Sequence, residues 1–122
     1  MRISQQQIDF INTNEWLIVA TSDIANQPRA CVVIPSRVES DQLILSDVQM
    51  GKTNKNIKSN PKIFISSYDK DMNKALKIIG TAEYITSGAL FDEIKEFEST
   101  RDVEIKAIIV VSIDSVEEAS ED

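Results

Sequence analysis

Every second residue from Val103 to Ile113 is apolar: Val103, Ile105, Ala107, Ile109, Val111 and Ile113. Only an extended chain puts such a set on one face, because side chains alternate in a strand but recur about every 3.6 residues on a helix. A strand with one wholly apolar face has to be covered. The rest of the chain must therefore build a sheet around a shared core.

The flanking segments supply that sheet. Ser4 and Gln7 stand at capping-box spacing, with Ile3 and Ile8 as a hydrophobic staple, so a short helix opens the chain with Ile8 and Ile11 on its apolar stripe. Residues 15–21 are β-branched and aromatic and read as a strand buried on both faces. Residues 23–28 form a turn with Asn26 at positive φ. Residues 29–38 form the second strand, a hairpin partner of the first, in which Pro35 demands an edge, a bulge or a bend. Residues 42–47 are the third strand. Residues 51–60 form a short polar helix whose one apolar residue is Ile57, stopped by Asn60-Pro61. Residues 62–68 and 75–86 are strands four and five. Ser87 caps a helix with Leu90, Phe91, Ile94 and Phe97 on one side. The period-two run is the sixth strand, and the acidic end, about residues 116–122, frays. Short turns favour antiparallel pairing, and the order is no regular β-α-β alternation. The expectation is a single mainly β domain over residues 1–122: a small closed or partly closed barrel of six antiparallel strands with short peripheral helices.

Composition removes whole classes of function. The chain has no histidine and one cysteine, which excludes histidine triads, histidine-ligated metal and haem, an internal disulfide and a cysteine-based zinc site. No run reaches membrane length, and no signal-peptide pattern opens the sequence, so a cytoplasmic location is expected. A net charge of −7 argues against nucleic acid and anionic membranes as partners. That charge is uneven: residues 50–80 balance to +5, with seven lysines against Asp69 and Asp71, and residues 88–122 to −8. A basic stretch in an acidic protein suits a small anionic ligand.

The most specific local signal starts at Gly51-Lys52-Thr53, after the third strand. A helix start offers unpaired N–H groups and the positive end of the dipole, and Lys52 and Thr53 add a cation and a hydroxyl. These are the parts of a phosphate cradle, and equally of a solvated helix with surface lysines. Cys31 reads as a small core hydrophobe and Trp16 as core or dimer interface. Tyr68 and Tyr84 read as sheet-edge caps, and Asp92, Glu93, Glu96 and Glu98 as a solvated helix face.

Five stretches in order, Gln27-Pro28, Cys31 to Ile34, Leu43 to Asp47, Lys52 to Ile63, and Ile78 to Tyr84, form a pattern. It resembles the FMN-binding split barrel superfamily of pyridoxamine 5′-phosphate oxidase and the small bacterial FMN-binding proteins. The resemblance spans roughly residues 4–114. It implies a six-stranded antiparallel split barrel and a homodimer with FMN at its interface. Main-chain groups of Val32, Val33 and Ile34, flanked by Cys31 and Ser36, would lie along the flavin, and Ser46 and Asp47 would touch it. Lys52 and Thr53 would bind the phosphate, and Ala75 and Leu76 would approach the ring from the partner subunit. The Val-Val-Ile ribbon supplies flat apolar surface and amide donors, as a flavin requires, and is equally compatible with a buried core strand.

The sequence also departs from the family pattern. Thr53 stands where many relatives have a second basic residue, with Lys55 or Arg29 as substitutes. Asp47 replaces a hydroxyl residue and would repel phosphate if aimed at it. Pro35 removes a main-chain donor. The last strand is not followed by a counterpart of the oxidase's substrate-holding segment, which speaks against vitamin B6 oxidation. The implied function is a small FMN flavoprotein in electron transfer or in reduction of an unknown small molecule. An F420-dependent reductase and a flavin-free split-barrel dimer serving as an interaction module are the alternatives. A haem-degrading role lacks a histidine ligand.

Overall fold

The computed structural model describes residues 1–120. Its elements are α1 (Gln5–Asn14), β1 (Leu17–Ser22), β2 (Pro28–Val33), β3 (Arg37–Val38), β4 (Gln42–Asp47), α2 (Lys52–Ser59), β5 (Lys62–Asp69), β6 (Lys74–Ile85), α3 (Ala89–Ser99) and β7 (Ala107–Ser120). All strand pairs are antiparallel, in the order β2-β1-β5-β6-β7-β4-β3. The two edge strands of this order are successive in the chain. Four residue steps from Val33 to Arg37 span at most roughly 14 Å. The sheet must therefore curl until its edges approach, and the result is a split barrel.

The sheet has seven strands where the sequence suggested six. Pro35 is the cause. It has no N–H to give a ladder, so residues 29–38 break into β2 and β3, which end on opposite edges of the sheet.

The interior is filled by alternate residues of five strands, among them Leu17, Val19, Ile63, Ile65, Ile78, Leu43, Leu45, Ile109 and Val111. Ile3 and Ile11 enter the same cluster from the α1 end and Ile57 from α2. Burial of Ile57 is worth about 1.5–3 kcal/mol, and helices as short as α2 are marginal in water without such an anchor. A second cluster lies outside the sheet, where Phe91 and Ile94 of α3 cover Ile44 and Ile108, joined by Ile105. Strand β4 is thus covered on both faces.

Several local expectations stand. The Ser4–Gln7 capping box forms, and Asn26 adopts φ 63°. Others need correction. Strand β1 is buried on one face only, with Trp16 and Ile18 exposed. Gly88, not Ser87, is the N-cap of α3, and no side chain caps it. Phe97 faces solvent. Val103 and Ile105 precede β7, which begins at Ala107. The acidic end does not fray as far as Ser120: Lys77 pairs with Glu117 and Leu76 with Glu118. Opposite charges sit across that ladder. Residues 121 and 122 of the expected acidic tail lie outside the described residues. No described helix is long and apolar enough to cross a membrane.

Candidate functional site

The start of α2 is brought against the edge strand β2. Gly51 enters the helix at φ 58°, a backbone conformation that disfavours other residues. Lys52 follows with its side chain exposed, and among the described residues it forms no ion pair. Thr53 turns inward and is buried; its Oγ1 lies 3.8 Å from Cys31 Sγ on β2. The Thr53 N–H bonds to the Met50 carbonyl. The hydroxyl expected at an anion thus joins α2 to β2, and Lys52 is the free polar side chain of the pair.

Three tethers fix α2 to two further strands, β4 and β1. Asn54 Nδ2 donates to Asp47 Oδ2 at 3.1 Å, Asn56 Nδ2 to Thr21 Oγ1 at 3.2 Å, and Asn60 Nδ2 to Ser22 Oγ at 3.1 Å. The reading of α2 as a polar helix missed these roles. A signal was present: asparagine is a poor helix former, and three of them in and just after so short a helix point to side-chain hydrogen bonding.

Strand β2 offers an open edge. Among the described residues it pairs with β1 alone, so alternate main-chain groups point away from the sheet. Cys31 and Val33 pack toward the core, while Val32 and Ile34 are exposed on the outer face. There Val32 lies opposite Ile18, and Phe64 opposite Ile79. Together with Trp16 these form an apolar outer face across β2, β1, β5 and β6.

Ser46 and Asp47 are both buried at the end of β4. Ser36 Oγ donates to Glu98 Oε2 at 2.8 Å and lies 2.6 Å from Ser46 Oγ. Glu98 is only 6% exposed and also pairs with Arg101, so it is not part of a solvated face. Asp47 accepts the Tyr84 hydroxyl at 2.5 Å. Burial first, then the hydrogen bond to Asp47 and its charge, push the Tyr84 phenol well above its ordinary range. Tyr84 therefore sits inside the sheet rather than capping an edge, whereas Tyr68 is exposed and bonds to Asn73.

Ala75 and Leu76 open β6. They line a cavity of about 510 Å³ between α1 and the paired ends of β6 and β7, and neither Lys52 nor Thr53 lines it. Within the chain the two groups of expected site residues are thus separate. Lys52 beside an open strand edge and the exposed apolar Val32 and Ile34 fits a ligand with an anionic tail and a flat ring.

The sequence model of the pyridoxamine 5′-phosphate oxidase family matches residues 3–119. No curated protein matches the chain. Among solved structures, HupZ from Group A Streptococcus is 28% identical, with a TM-score of 0.89 over 98% of this chain and 95% of that one. An FMN-binding protein from Syntrophomonas wolfei subsp. wolfei is 19% identical, with a TM-score of 0.78 over 93% and 83%. HutZ, the heme storage protein from Vibrio cholerae, is 13% identical, with a TM-score of 0.70 over 98% and 95%. The latter two share the fold alone.

Proposed function

The chain belongs to the pyridoxamine 5′-phosphate oxidase family, and from that premise we propose that it is a small FMN-binding flavoprotein of the cytoplasm. It is a homodimer with the flavin at the interface, and it transfers electrons or reduces a small molecule. One observation carries this reading: exposed Lys52 in the first turn of α2, on a helix joined to the edge strand β2 through Thr53 and Cys31.

In this reading Lys52 and the free N–H groups of the α2 start hold the phosphate. The open edge of β2 gives main-chain donors and acceptors to the ring system, while Val32 and Ile34 supply apolar contact. Thr53 and the asparagine tethers position α2 without touching the ligand. Ser36, Ser46 and Asp47 support the strand ends from within. The outer face of Ile18, Val32, Phe64 and Ile79 is covered by a second copy, which contributes Ala75 and Leu76 to its partner's site. The flavin itself supplies the redox chemistry. The heme of HutZ is not carried over, because this chain has no histidine to serve as an axial ligand.

The test is the visible spectrum of the purified protein and titration with FMN, riboflavin and F420. FMN should bind well above riboflavin, and Lys52→Ala should weaken FMN roughly tenfold while sparing riboflavin. Preference for F420 would move the assignment to a deazaflavin reductase. A colourless protein indifferent to all three would be a flavin-free interaction module. Sedimentation should give a dimer at micromolar concentration and a monomer for Ile18→Asp.

A further inference from the structure

Asp47 is fully buried at the end of β4. Its Oδ1 accepts the Met50 N–H at 3.0 Å, and its Oδ2 accepts Asn54 Nδ2 at 3.1 Å and the Tyr84 hydroxyl at 2.5 Å. All three donors are neutral. Among the described residues no lysine or arginine forms an ion pair with this carboxylate. Two of its donors belong to the entry of α2: Met50 directly precedes Gly51, and Asn54 lies two residues after Lys52.

A negative charge is therefore built into the base of the helix start. It faces inward and does not offer itself as a ligand contact. Its field still reaches a group placed on that first turn, and burial leaves the field poorly screened. Lys52 and the helix dipole attract an anion there, and Asp47 opposes them. The opposition grows with the charge of the ligand and vanishes for a neutral one.

We propose that Asp47 is a specificity-determining residue that limits how much negative charge the α2 start accepts, lowering affinity for a dianionic phosphate monoester without altering how the ring is held. This rests on the flavin reading above. It accounts for a carboxylate next to a phosphate site: the group is retained as the acceptor that ties β4, β6 and α2 together, and it acts on the ligand only through its charge.

The test is calorimetric titration of the full chain with FMN and riboflavin, for wild type and Asp47→Asn. The variant is isosteric, and an amide turn at Asn54 offers an oxygen to the new NH₂ group. Asp47→Ser serves as a second neutral variant should the first fold poorly. FMN affinity is expected to rise roughly threefold to tenfold and riboflavin affinity to stay constant. Tyr84→Phe removes a donor but keeps the charge, and should leave the FMN-to-riboflavin ratio at the wild-type value. An unchanged or lowered ratio in the neutral variants, or an equal rise in Tyr84→Phe, overturns the inference while the flavin reading stands. Wild-type protein that binds neither flavin overturns the flavin reading, and this inference with it.

Discussion

The hydroxyl of Ser36 donates to Oε2 of Glu98 at 2.8 Å, joining the β2–β3 link to the last turn of α3. A hydroxyl has one proton to give. Ser36 gives its own to the carboxylate, so the 2.6 Å contact to Ser46 is a donation from Ser46 to Ser36. The chain Ser46, Ser36, Glu98 thus runs in one direction and ends on a carboxylate that also meets Arg101 Nη1 at 3.1 Å. It holds α3 to the edge where the barrel splits.

Glu98→Ala should destabilise the protein by about 1–3 kcal/mol, because the part-buried Ser36 hydroxyl beneath α3 loses its acceptor and the chain from Ser46 loses its end. Glu98→Gln should cost less, since its amide oxygen still accepts from Ser36. Urea unfolding monitored at Trp16 measures both. A change within about 0.5 kcal/mol for the alanine variant would mean that Glu98 behaves as a surface glutamate.

Gly80 lies at a register shift in the β6–β7 ladder. A Cβ there would stand 2.5 Å from Val111 Cγ1 and 2.7 Å from the Ser112 carbonyl oxygen. The carbonyl belongs to the neighbouring strand's backbone and cannot rotate away. Gly80→Ala should therefore cost roughly 1–3 kcal/mol and Gly80→Val more, seen as lower denaturant midpoints. A neutral alanine variant would show that β7 slides to make room.

Where local chemistry decides, the sequence was legible. The bounds of β4, the capping box at Ser4 and the positive φ of Asn26 each follow from a few adjacent residues. The break at Pro35 was visible as a constraint, but not that it would send two strands to opposite edges. Apolar residues on both faces of β1 read equally as double burial or as an outer face awaiting a partner; only the coverage of the sheet separates these. Glu98 looked like its acidic neighbours because which helix face meets the sheet is a tertiary fact. Within the candidate site, the meeting of α2 with β2 was legible through the family pattern. The inward turn of Thr53 and the three asparagine tethers depend on side-chain direction, which strand and helix periods leave open.

Tyr84 gives the fold an alkaline limit. Burial, the hydrogen bond to Asp47 and that residue's charge all favour the neutral phenol, raising its pKa above the ordinary value near 10. In the unfolded chain the proton leaves at the ordinary value. The stabilisation is therefore complete below about pH 10 and is lost as pH rises from there toward the higher folded-state pKa. Urea midpoints for wild type should fall more steeply than those of Tyr84→Phe between about pH 9 and 11. The variant itself should start about 1 kcal/mol lower at pH 8, having left Asp47 with one donor fewer. Every other ionisable group is common to the two proteins, so the difference between the two curves isolates Tyr84. Parallel curves would show that the Tyr84–Asp47 hydrogen bond does not link stability to the phenol's ionisation.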